Sequence, residues 1–194
     1  MTTHQKIRIM AGNAILAALT AILTYVSNFL SIGPASFNLS LIPIVLAAIL
    51  YGPWSGLFMG FVNGGIVLIG AGYFLAMNVP ATIILCLLKT GLAGLGAGFA
   101  YKLIKNINWK VGVVVATVIT PCINTSLFCL GSLIFYSEHV AEFLTIYILF
   151  NFLIELGLNI VLVPSILYIV KVAQDKFGLN DSEESTSEET EENE

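Results

Sequence analysis

The sequence predicts an all-α membrane protein, a bundle of six transmembrane helices with both termini cytoplasmic. Three observations lead there. Of the 194 residues, 57% are hydrophobic and 10% are charged, whereas a soluble domain is nearer half apolar and about a quarter charged. The apolar residues fall in long runs, and crossing a bilayer core takes about 20 of them in a helix. The basic residues cluster at alternate gaps between those runs. Mean hydropathy is +0.92. Composition excludes a water-soluble globule, a disordered chain and a nucleic-acid binder, and the length of the runs excludes a barrel, whose strands alternate over about 10 residues.

Six segments follow from the breaks. The first runs from about Ile9 to Leu30 and stops at Ser31-Ile32-Gly33-Pro34. It is too long for the roughly 7–15-residue core of a cleavable signal, and five more apolar segments follow it. The second, Leu39 to Tyr51, is short. Gly52-Pro53 forms a tight turn into the third, Pro53 to Gly70, with proline at a helix start. The fourth covers Pro80 to Ile104, the fifth Val111 to Phe135 and the sixth Phe143 to Val172.

Charge orients them. Lys6 and Arg8 precede the first segment, Lys102, Lys105 and Lys110 join the fourth to the fifth, and Lys171 and Lys176 close the sixth. With six spans these places share one side, which the positive-inside rule makes cytoplasmic. The opposite connections, near 31–38, 71–79 and 136–142, hold no Lys or Arg. Tyr51, Trp54, Tyr101 and Trp109 are then expected at the inner interface, and Tyr73 and Tyr136 at the outer one. The expected location is a prokaryotic plasma membrane.

Eight of the twelve acids lie beyond residue 180, in DSEESTSEETEENE. That stretch has nothing apolar to bury and reads as a solvated, disordered tail. Residues 1–176 form the expected membrane domain and 177–194 the tail. Cys86, Cys122 and Cys129 are spaced like core residues, and His4 and His139 stand alone, so no disulfide framework or metal site is suggested.

The second segment has a geometric consequence. Thirteen residues at 1.5 Å each cover about 20 Å, less than the roughly 30 Å hydrocarbon core. Its outer end is expected below the surface, reached by a loop dipping in from Ser31 to Asn38. Irregular backbone at that depth needs protein or a wet cavity around it. A pocket open to the outside follows, and the competing reading is a tilted neighbour in a thinned bilayer.

Lys89 and Glu155 are the ionisable residues deep in the apolar body, and an intramembrane charge is by default a functional candidate. Counted inward from the helix ends they lie at similar depth, either as a structural bridge or as a positive charge offered to an anionic solute. Asn151, Glu155 and Asn159 share one face of the last segment. Asn63, Asn124, Asn38 and Asn78 add carboxamides at helix centres or mouths. Any one of them reads as interhelical hydrogen bonding; as a set they suit a polar ligand. Asn159 lies deeper and reads as structural. In the first segment, Ala14/Ala18 and Ala17/Ala21 are small pairs that permit close helix approach, as are Gly56/Gly60/Gly64 and Gly91, Gly94 and Gly98. The chain has no P-loop, GxSxG or HExxH and no visible repeat of a secondary transporter, so uphill transport would need energy from other subunits.

These residues, in this order, resemble the substrate-binding S-component of energy-coupling factor (ECF) vitamin transporters. The resemblance spans nearly all of 9–172. It is carried by the alanine-rich first segment, Phe37-Asn38-Leu39-Ser40-Leu41-Ile42-Pro43-Ile44, Leu50-Tyr51-Gly52-Pro53-Trp54-Ser55-Gly56, Lys89-Thr90-Gly91-Leu92-Ala93-Gly94 and Asn151-Phe152-Leu153-Ile154-Glu155. It implies a subunit that captures a vitamin from outside and associates with a transmembrane coupling protein and two cytoplasmic ATPases. It implies no cofactor on this chain, since ATP is used by the partners. The family's AxxxA docking motif maps onto Ala14 and Ala18. The aliphatic, amide-rich outer half with one lysine suits a small anion bearing hydroxyls and an amide, and the loop looks most like pantothenate-type members. Pantothenate is the expected substrate; folate, pyridoxine-type, riboflavin and cobamide substrates are the alternatives. Outside the family, an intramembrane enzyme using Glu155 and Lys89, or a structural membrane subunit, are the competing classes.

Overall fold

A computed structural model describes residues 3–29, 38–136 and 147–176. Among the described residues there are seven helices: α1 (Thr3–Phe29), α2 (Leu41–Leu50), α3 (Pro53–Gly70), α4 (Gly72–Met77), α5 (Val79–Ile104), α6 (Trp109–Phe135) and α7 (Tyr147–Lys176). Five of them are long and apolar enough to cross a membrane, with α2 the short apolar exception.

The local signals act where the sequence places them. Gly52 adopts φ +98°, a conformation open to glycine, and Pro53 begins α3 with a ring already set for helix. Asn78 caps α5 by accepting from the Ala81 N–H at 3.2 Å. Asn108 caps α6 by accepting from Lys110 and Val111 N–H at 3.0 and 3.4 Å, so that helix starts two residues before the expected Val111.

α2 is the centre of the bundle. It packs against α1, α3, α5, α6 and α7, and Leu41 through Ala48 are all buried. A helix apolar on every side belongs in a core. This answers why it is short: α2 is jacketed by the long helices rather than by lipid, so a thinned bilayer is not needed to accommodate it. At ten residues it covers about 15 Å and does not match the other five as a full span. Ile42, Val45, Leu46 and Ala48 pack with Ala97, Val113, Ala116, Val163 and Leu167. Leu41, Ile44 and Ala47 pack with Met59 and, at the edge, with Leu16 and Ala17 of α1.

α3 and α5 approach most closely. A Cβ on Gly56, Gly60 or Gly94 would collide with backbone of the facing helix, and one on Gly64 would meet the Cys86 carbonyl at 2.7 Å. Thr90 ties the seam by directing its hydroxyl at the Gly60 carbonyl (2.7 Å) and its own Cys86 carbonyl (2.8 Å).

The sequence reading is corrected at one end. The stretch 71–79, expected as a loop, contains α4. Tyr136, expected in an interfacial belt, is 5% exposed. Its ring packs on Phe74 of α4 with centroids 5.6 Å apart, and its hydroxyl lies 2.5 Å from Thr82 Oγ1. Thr82 also donates to the Phe74 and Asn78 carbonyls. Phe74 meets Phe128 edge-on at 6.0 Å. These contacts hold a six-residue helix that local propensity alone does not predict. Tyr51 is half-buried, its hydroxyl against Gly12 of α1, and Trp54 is exposed.

Most of the connection 31–38 and of the connection near 136–142, and the tail 177–194, lie outside the described residues, as do Ser31 to Phe37 of the expected dipping loop.

Candidate functional site

Three of the expected polar residues are brought together by α6, which packs against both α5 and α7. Glu155 of α7 is 6% exposed and Asn124 of α6 is 5% exposed. The Asn124 side chain hydrogen-bonds the Glu155 carboxylate, and the charge of Lys89, from α5, acts on the same carboxylate through space. A carboxylate only accepts, so the Asn124 amide N–H donates and its Oδ1 faces away. That oxygen is buried without a partner.

Lys89 and Glu155 make no direct ion pair. The Lys89 ammonium instead stands over the Phe128 ring, 4.8 Å from its centroid. Phe128 lies one turn from Asn124 on α6, so both project from the same face. The half-buried Asn151, one turn from Glu155 on α7, also has a buried Oδ1 without a partner. A buried, unpaired polar atom costs about 1–3 kcal/mol, so the Asn124 and Asn151 oxygens, on α6 and α7, are each able to take a hydrogen-bond donor. Asn159 completes the α7 face lower down. It donates to the Glu155 backbone carbonyl at 2.7 Å, and its Oδ1, like those of Asn124 and Asn151, is buried without a partner.

The remaining candidates go elsewhere. Asn63, fully buried in α3, accepts from Thr24 of α1 at 3.0 Å, and its Nδ2 has no partner. Asn38 accepts from Ser40 at the entry to α2. Asn78, exposed, is occupied in capping α5. Ala14 and Ala18 are exposed along α1, whereas Ala17 packs inward on the α2 cluster.

Several participants escaped the sequence reading. Phe128 is one of many phenylalanines and carries no mark of its own. Thr20, Thr24 and Ser27 are more instructive: they recur at i, i+4 and i+7 on α1, and all three are buried. Each returns its hydroxyl proton to the carbonyl four residues back, at 2.7, 2.6 and 2.6 Å. Ser27 also accepts from the Leu39 N–H at 3.1 Å, tying the end of α1 to the start of α2. Spacing could have found this stripe.

Five apolar spans around a buried short helix, with charges and carboxamides kept inside, define a multi-pass membrane protein with an internal polar site. The chain belongs to the ECF transporter, substrate-specific component family, whose model matches residues 8–167. No curated protein and no solved structure matches it. Membership makes this chain a transporter subunit rather than an enzyme, one that works with ECF transmembrane and ATPase modules on a small-molecule substrate of the vitamin type.

Proposed function

We propose that the protein is the pantothenate-binding subunit of an ATP-driven ECF importer. In this reading the chain spans the membrane six times with both termini cytoplasmic, α2 counting as the short buried span. The α4 end of the bundle then faces outward. The chain binds no cofactor, and ATP is consumed by the partner ATPases. Ala14 and Ala18 dock the coupling protein, a role supported by their exposure on α1.

The single observation that carries the substrate reading is the half-buried Lys89 ammonium, which among the described residues stands over the Phe128 ring rather than in an ion pair. A charge inside a membrane bundle is costly, and a ligand carboxylate would give this ammonium a direct counter-charge. Pantothenate brings that carboxylate, together with an amide N–H and hydroxyls to satisfy Asn124 Oδ1 and Asn151 Oδ1. Asn38, Asn63 and Asn78, expected in the same set, are engaged by Ser40, by Thr24 and in capping α5, and in this reading they shape the protein around the ligand without touching it.

Retention of radiolabelled B vitamins by the purified full chain in detergent tests this. Pantothenate is retained at submicromolar concentration, as is usual for a well-formed buried site, and without ATP. Retention of folate, riboflavin, a pyridoxine-type compound or a cobamide in its place reassigns the substrate. Retention of none defeats the binding role and leaves the structural-subunit class.

A further inference from the structure

Lys89 meets Phe128 and Glu155 meets Asn124, positions one turn apart on α6, yet the two charges form no ion pair with each other. Opposite charges attract more strongly as the surrounding dielectric falls, so something must hold these two apart. Each charge is instead engaged by a side chain of α6, and the two side chains stand one turn apart on the same face. Phe128 presents its ring face to the ammonium, and Asn124 occupies the carboxylate. Phe128 is itself braced: Phe74 meets it edge-on, and Phe74 is packed in turn on Tyr136, whose hydroxyl is tied to Thr82.

The geometry points to Phe128 as a positioning residue that holds the Lys89 ammonium away from Glu155 and available to the acid group of the substrate. A cation over an aromatic face keeps its charge and loses little when an anion arrives at its other side. A cation locked to a carboxylate would have to give up that partner first, and breaking a buried pair is expensive. This rests on the anionic-substrate reading above and adds to it a reason for specificity: without the ring, the site neutralises itself.

The first measurement needs no ligand. Melting temperatures of the purified full chain are compared for Lys89→Met, Glu155→Gln and the double variant, with Phe128 intact and with Phe128→Leu. Phe128→Met, which keeps bulk without a ring face, serves if the leucine variant is not recovered. With Phe128 present, the two single effects add to within about 1 °C; without it, the charges collapse together and the departure from additivity at least doubles. Equal departure in both backgrounds overturns the proposal.

The second measurement is equilibrium binding of pantothenate and of panthenol, its neutral alcohol counterpart. Phe128→Leu weakens pantothenate about ten-fold and panthenol less than about two-fold, as expected for losing one charge-assisted contact. Phe128→Tyr restores pantothenate binding, and so does Glu155→Gln added to Phe128→Leu. Equal weakening of both compounds makes Phe128 a packing residue and overturns the proposal. If the unmodified protein binds neither, the substrate assignment fails, and the melting comparison still decides whether Phe128 separates the two charges.

Discussion

Lys89 stands at the centre of the proposed site. Its ammonium stands over Phe128, and Asn124 and Asn151 on α6 and α7 each keep a buried oxygen unpaired. Replacing Lys89 by alanine is expected to weaken an anionic ligand about ten-fold or more, the scale of one charge-assisted hydrogen bond, and its neutral analogue far less. Paired titrations of pantothenate and panthenol measure this, and equal losses would return Lys89 to a scaffold role. Asn78 gives the opposite expectation for stability. Asn78→Ala removes an N-cap and costs about 1 kcal/mol, seen as a lower melting temperature; an unchanged melt would mean the cap is dispensable. The two charges were recognisable from residue order because ionisable groups are rare in apolar runs. That Lys89 would meet an aromatic ring was not, because its partner is one phenylalanine among twelve.

Helices pose their own questions. α3 and α5 meet through glycine because Gly56, Gly60 and Gly94 sit directly on facing backbone. Gly60→Ala is expected to destabilise the protein by at least the about 1–3 kcal/mol of an overpacked core. Gly65→Ala, with nothing within 4 Å of its Cβ position, is expected to be neutral or to gain up to about 1 kcal/mol of helix propensity. Thermal melts of the two variants side by side check this, and similar losses would deny the close seam. The glycine spacing was visible in the sequence. The partner of each glycine was not, since several helices carry small residues. α4 shows the converse case. Six residues are too few to announce a helix, and Phe74, Tyr136 and Thr82 stabilise it only once α5 and α6 are in place. The shortness of α2 was plain from Gly52-Pro53 and the break before Leu39, and its depth follows from its five neighbours.

The assembled bundle separates two surfaces. Polar groups converge inside α5, α6 and α7, while α1 turns Ala14 and Ala18 outward. Ala14→Trp with Ala18→Trp is expected to abolish uptake by cells containing the partner modules and to leave vitamin binding by the isolated subunit within about two-fold, because a close helix approach tolerates no bulk. Loss of binding in that variant would instead assign the alanines to internal packing. Membrane residence, the helical class and the family could all be recognised from residue order, because hydropathy and charge add up along the chain whatever its neighbours. Which carboxamide meets Glu155, what covers Lys89 and why Tyr136 is buried required the packed bundle, because each depends on contact between helices far apart in the chain, and an unpaired oxygen has meaning only when everything around it is in position.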